Sequence, residues 1–226
     1  IMLLNKKEND KFIYEIIRKE QTMNNSAFFK LSYGLYLITA RQGEKINGSI
    51  INTVTQITDN PKQVSIAMNK DSYTHDMIMQ TKKAVVTVLA TTTPFDTFKR
   101  FGFQSGKDVD KFKDITYFST EDGIPYLSAD SCAYLACRVT ETVDMGTHTL
   151  FLAEVTEAEV LSDSQEPMTY AYYHANVKPQ PKPEESKITG YRCIVCGYIY
   201  EGEEIPPDFI CPWCKHGVID FEKITA

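Results

Sequence analysis

The chain has 226 residues, of which 42% are apolar and 24% charged, and its formal net charge is −6. Mild acidity without a basic cluster argues against a nucleic-acid partner. No apolar run is long enough to cross a membrane and no signal peptide is expected, so a cytoplasmic location is anticipated. The length admits one medium domain and one mini-domain.

Residues 1–22 are rich in Lys and Glu, with Phe12, Ile13, Ile16 and Ile17 at helical spacing. They read as an N-terminal extension that can form a helix. Residues 23–176 read as mainly β. Runs rich in Val, Ile, Thr, Tyr and Phe fall at 34–40, 46–52, 63–69, 84–90, 131–145 and 147–161, the last two joined at Met145-Gly146. Helical patterns interrupt at 26–31, 74–82, 94–101 and 169–175. Many antiparallel strands with few helices point to a barrel. There is no Gly-x-Gly-x-x-Gly fingerprint and no strand–helix alternation, which excludes a Rossmann domain.

Within the barrel, residues 47–61 form a strand that ends in hydroxyl and amide side chains and turns through Asn60-Pro61. Asn52, Thr53 and Gln56 could meet the polar edge of a ring. Asn69-Lys70-Asp71-Ser72-Tyr73-Thr74-His75 then opens a helix. Ser72 or Thr74 can cap it, its free N–H groups favour a phosphate, and Lys70 adds positive charge. Taken alone, a polar turn before a capped helix is ordinary structure. Cys132 and Cys137 lie in a strand-like run and read as reduced core thiols. His75 reads as a helix-start residue and Arg100 as a solvated helix charge.

A proline stands at every second place from Pro179 to Pro183, so residues 177–187 read as an extended tether. At about 3 Å per residue it would reach roughly 30 Å. Residues 188–226 hold two Cys-x-x-Cys pairs, Cys193/Cys196 and Cys211/Cys214, amid Tyr191, Tyr198, Tyr200, Phe209, Trp213 and Phe221. Four thiolates on two tight turns suit Zn(II) or a single iron. An aromatic, dry shell is what tunes a redox potential, while a zinc ribbon needs little more than the cysteines and Gly197.

Tyr-x-Cys-x-x-Cys-Gly-Tyr-x-Tyr followed by Cys-Pro-x-Cys and Phe221-Glu222 resembles rubredoxin, and the likeness covers residues 191–221. It departs in having only fourteen residues between Cys196 and Cys211, and Phe209 where a tryptophan is usual. Residues 28–40, 47–61, 72–75 and 146–155 together resemble the flavin reductase family. That resemblance implies an FMN-binding split β-barrel of Greek-key type, commonly dimeric. By position it implies that Asn52, Thr53, Val54 and Gln56 line the isoalloxazine and that Lys70, Ser72 and Thr74 hold the phosphate end. His148 would lie near the nicotinamide or flavin, as the catalytic residue. The preceding Thr147 stands where that family often has an aspartate.

The domain order resembles the high-molecular-weight rubredoxins. It implies FMN, one iron on Cys193, Cys196, Cys211 and Cys214, and NADH or NADPH as donor. A flavodiiron oxygen or nitric oxide reductase would be the acceptor, and the chain a homodimer. The alternatives are a flavin reductase that releases reduced flavin and carries a structural zinc ribbon, or a flavoredoxin-like carrier fed by a protein.

Overall fold

The computed structural model describes residues 25–179 and 190–224. The helical pattern over 1–22 and most of the proline-rich segment lie outside the described residues. The chain divides into two compact units after Ser32. In the first, Asn25–Lys30 is a 3-10 helix rather than the α-helix the pattern predicts. Six residues are too few to offset the cost of nucleating an α-helix.

The second unit is built on a seven-stranded antiparallel sheet. Its strands are β1 (Tyr36–Gln42), β2 (Lys45–Ile51), β3 (Val54–Asp59), β4 (Lys62–Asn69), β5 (Lys83–Leu89), β8 (Ser131–Asp144) and β9 (His148–Val160). A two-stranded ladder of β6 (Phe118–Ser119) and β7 (Pro125–Tyr126) stands apart. The main sheet runs in the order β2-β1-β5-β8-β9-β4-β3, so β2 and β3 are its two edges. Yet only Asn52 and Thr53 join them. The three Cα steps from Ile51 to Val54 reach at most about 11 Å, whereas the edges of seven flat strands would stand roughly 29 Å apart. The sheet therefore curls until its edges meet, which makes the barrel.

Alternation along β1 serves two cores. Ile38 and Ala40 face the barrel interior with Val64, Ile66, Met68, Val86, Phe151 and Ala153. Leu37 faces the opposite way, toward Phe98, Phe101, Phe112 and Met168. A strand buried on both faces gains little from a polar side, which explains the unbroken run Leu35–Ala40 apart from Tyr36 and Thr39. Thr39 is tolerated because its hydroxyl donates to Pro125 O at 2.5 Å.

Helix α1 (Tyr73–Thr81) sends Met77 and Ile78 into the barrel core. Helix α2 (Phe95–Gly102) buries Phe98 and Phe101, three residues apart on one face. The β8–β9 hairpin turns where expected: Gly146 sits at φ 80° and donates its N–H to Asp144 Oδ1 at 2.8 Å. The pattern over 169–175 becomes one turn, Tyr170–Tyr172, that widens into a π-turn at Tyr173–Val177. Cys132 and Cys137 are buried free thiols. The strand β3 departs from expectation, since residues 54–59 read as the trailing end of one strand and form a separate one. Its exposed Thr55, Gln56, Thr58 and Asp59 carry no apolar alternation.

Strands β10 (Gly190–Cys193), β11 (Ile199–Glu201) and β12 (Phe221–Ile224) form a three-stranded sheet in the order β11-β10-β12. Gly190 is required by its neighbour: a Cβ there would lie 2.4 Å from Tyr200 O.

Candidate metal centre and cofactor surface

The two Cys-x-x-Cys turns are built alike. In the first, Gly197 N–H donates to Cys193 O at 2.8 Å and Cys193 N–H donates to Tyr198 O at 2.8 Å. In the second, Lys215 N–H donates to Cys211 O at 2.9 Å and Cys211 N–H to His216 O at 2.8 Å. Both turns close on a left-handed residue, Gly197 and Lys215.

This folding brings the sulfurs of Cys193, Cys196, Cys211 and Cys214 within 4.8 Å of one another. None of them forms a disulfide. The first three cysteines are buried and Cys214 is partly exposed. Main-chain N–H groups of Val195 and Cys196 point at the Cys193 sulfur, that of Tyr198 at Cys196 and that of His216 at Cys214. Burial pushes the Cys193 thiol up, while the hydrogen bond from the Cys214 thiol holds Cys196 down. Four thiolates in so small a volume repel one another unless a cation sits among them, so the donor set fits a tetrahedral metal.

Aromatic rings enclose the cage. Phe209 meets Tyr200 at 4.8 Å and Phe221 at 5.5 Å between centroids, and Tyr198 meets Trp213 at 5.5 Å. Trp213 also stacks on Phe103, just past α2, at 6.0 Å and 17° between planes. The cage is thus docked on the barrel. A cleft of about 610 Å³ runs between them, lined by Phe95, Phe103, His174, Lys178, Cys196 and Trp213 among others. Lys178 belongs to the segment that reads as a tether, yet its ammonium donates to Val195 O at 3.3 Å. Tyr170 and Tyr173 lie close enough to the cysteines for thiolate charge to push their phenols up, after the larger effect of burial.

The second cluster lies around the N-terminus of α1. Thr74 is fully buried and its hydroxyl is held by Asn47 Nδ2 at 3.0 Å and Ser49 Oγ at 2.8 Å. The Thr74 hydroxyl is thus engaged inside the protein, and its main-chain N–H stays at the helix start. Ser72 makes no side-chain cap; its hydroxyl meets Ser49 Oγ at 3.0 Å. The helix's first N–H groups therefore remain for an acceptor. Lys70 Nζ pairs with Asp144 Oδ1 at 2.6 Å, and that bond holds the Asp144 carboxyl below its usual range.

His148 begins β9 opposite Asn69 and is exposed, with Nδ1 at 2.9 Å from Thr147 Oγ1. Lys70 N–H donates to Thr147 O, so Lys70 and His148 share one end of the β4–β9 ladder. Thr53 Oγ1 donates to Ala67 O at 2.7 Å, and Asn52, Thr53 and Val54 are half-buried at the meeting of the sheet edges. Gln56 follows on β3, exposed, where its amide donates to Thr58 O.

Sequence reasoning missed Asn47 and Ser49, which support the helix start, and Lys178. It also missed Lys111, a buried ammonium that donates to Gly48 O at 2.9 Å and Phe101 O at 3.0 Å. Arg100 reads as solvated but donates to Lys113 O at 2.8 Å.

A curled β-barrel joined to a four-cysteine mini-domain defines a two-centre oxidoreductase architecture. Residues 28–179 match the flavin reductase like domain and residues 191–222 the rubredoxin-like domain of rubrerythrin. The chain belongs to the flavin reductase-like family and carries a rubredoxin-like domain after it. It is 38% identical to a high molecular weight rubredoxin of Moorella thermoacetica, over 89% of this chain and all of that one. It is also 38% identical to a ferric-chelate reductase (NAD(P)H) of Archaeoglobus fulgidus, over 67% of this chain and 89% of that one. Among solved structures, flavoredoxin from Methanosarcina acetivorans matches at TM-score 0.55 and 25% identity, over 61% of this chain and 73% of that one. The chain is an oxidoreductase that works in electron transfer.

Proposed function

We propose that the chain takes electrons from NADH or NADPH, passes them through FMN to one iron, and delivers them to a redox partner. The observation that carries this reading is the cage of Cys193, Cys196, Cys211 and Cys214 docked on the flavin reductase-like barrel through Trp213 and Phe103. A flavin accepts an electron pair from a nicotinamide and releases it one electron at a time, and a four-thiolate iron takes one.

The chain's own residues bind, orient and exclude water. The α1 N-terminus, with the Ser72 hydroxyl and the Lys70 ammonium, would neutralise the phosphate end, and Thr74 would act there through its main chain. Asn52, Thr53 and Val54 would edge the ring, with Gln56 an outlying contact from β3. His148, exposed at the end of the same ladder, would orient the nicotinamide. The aromatic shell keeps water from three of the cysteines, and the N–H···S bonds stabilise their negative charge. Hydride transfer needs no acid or base from the chain, so these roles are positioning.

A flavodiiron oxygen or nitric oxide reductase as acceptor, a homodimer and a cytoplasmic setting belong to the same proposal. So does a segment from 177–187 that joins a barrel of 23–176 to a tail of 188–226. Support comes from the likeness to the Moorella protein, which extends through both domains. The test is metal and flavin analysis of the purified protein with a visible spectrum. Stoichiometric FMN and red ferric-thiolate absorption are expected. Zinc in protein from iron-supplied cells, with flavin bands alone, would favour a flavin reductase with a structural clip.

A further inference from the structure

Among the contacts that join the mini-domain to the barrel in the described residues, two differ in kind. One is apolar, Trp213 on Phe103. The other is charged: Lys178 stands half-buried at the last described turn of the barrel, with Nζ on Val195 O, inside the first Cys-x-x-Cys turn. A Cβ on Gly197 would lie 3.9 Å from the same Nζ. Burial lowers the Lys178 pKa, and against that larger effect the charge of all four cysteines favours its protonated form. Among the described residues, Arg192 also lines this cleft, but it is paired with Glu222.

We propose that Lys178 is a positioning residue that reads the charge of the cage, so that docking on the barrel tightens when the cage gains an electron. This rests on the electron-transfer reading. Four thiolates around Fe(III) carry a net charge of −1. One electron from the reduced flavin makes it −2, and no bond or proton changes place. A fixed cation beside the cage is attracted more strongly to the second state. By linkage the effect is reciprocal: docking through Lys178 favours the reduced cage, and a reduced cage favours docking. Lys178 thus holds the mini-domain against the barrel in the reduced state, and oxidation by a partner loosens it.

The test separates charge from iron chemistry. The full chain is loaded with Zn(II), whose cage carries −2, or with Ga(III), whose cage carries −1. Neither ion absorbs visible light, and Trp213 is the chain's single tryptophan. Acrylamide quenching of Trp213 then reports docking. In the parent chain the zinc form should be about twofold less quenchable than the gallium form. Lys178→Gln should erase that difference and Lys178→Arg should keep it. Equal quenching of the two parent forms, or a difference that survives in Lys178→Gln, would overturn the proposal. In the iron protein Lys178→Gln should also disfavour reduction about tenfold, or about 59 mV for a one-electron couple. An unchanged midpoint potential would likewise count against it. A natural zinc content would defeat the electron-transfer reading while leaving the quenching comparison intact, so the two failures are distinct.

Discussion

Gly197 and Lys215 hold equivalent places, one residue past each Cys-x-x-Cys pair, at φ 78° and 62°. A side chain in this left-handed region costs about 1 kcal/mol or more, and glycine avoids that cost. Lys215→Gly should therefore slow metal loss to a chelator and raise the stability of the mini-domain by roughly 0.5–1 kcal/mol after glycine's greater chain entropy is set against it. Gly197→Ala should act in the opposite sense by about 1 kcal/mol. Chelator-release kinetics on both variants check the pair.

Trp213 on Phe103 is the apolar half of the docking contact. An aromatic pair contributes about 0.5–1.5 kcal/mol, so Phe103→Ala should cut the docked population roughly twofold to tenfold. Flavin-to-iron transfer, followed by rapid mixing, should slow by that factor while metal content stays unchanged.

His148 is exposed, and among the contacts described its side chain is bonded only to its neighbour Thr147. His148→Ala should therefore leave the melting temperature within about 1 °C, in keeping with a change below 0.5 kcal/mol. Flavin reduction by the nicotinamide should fall about tenfold, the usual scale of a lost positioning contact. A stability loss with an unchanged reduction rate would assign His148 to structure.

Lys111 sits on the carbonyls of Gly48 and Phe101, and burial lowers its pKa to about 8. An unfolded lysine titrates near 10.4. Between these values the unfolded chain binds more protons, so this group's contribution to stability rises with pH from about 8 to about 10.4. Lys111→Met should remove that slope and destabilise at pH 7 by about 1–3 kcal/mol, because two buried carbonyls lose their donor. Urea unfolding at pH 7.5 and 9.5 checks both parts.

The cage was legible because cysteine spacing fixes which sulfurs can converge, whatever the rest of the chain does. The main strands were legible where Val, Ile and aromatic residues repeat, as in β5 and β9. β3 was not, because an exposed edge strand of Thr, Gln and Asp has no buried face to set a pattern. The inward turn of Thr74 depends on Asn47 and Ser49, brought to it from another strand by the curl of the sheet. Lys111 and Lys178 were missed because burial of an ammonium depends on carbonyls supplied from distant segments, Gly48 and Val195. No local pattern announces such a partner.

The most direct measurement is an anaerobic titration of the iron- and FMN-loaded chain with NADH, then NADPH, beside Cys196→Ser. In the parent chain the flavin bands and the ferric-thiolate band should both bleach. The variant should still bleach its flavin at a near-parental rate and deliver no electrons to a partner. A variant that reduced a partner as fast as the parent chain, or a parent ferric band untouched by either nicotinamide, would contradict the proposed path from barrel to cage.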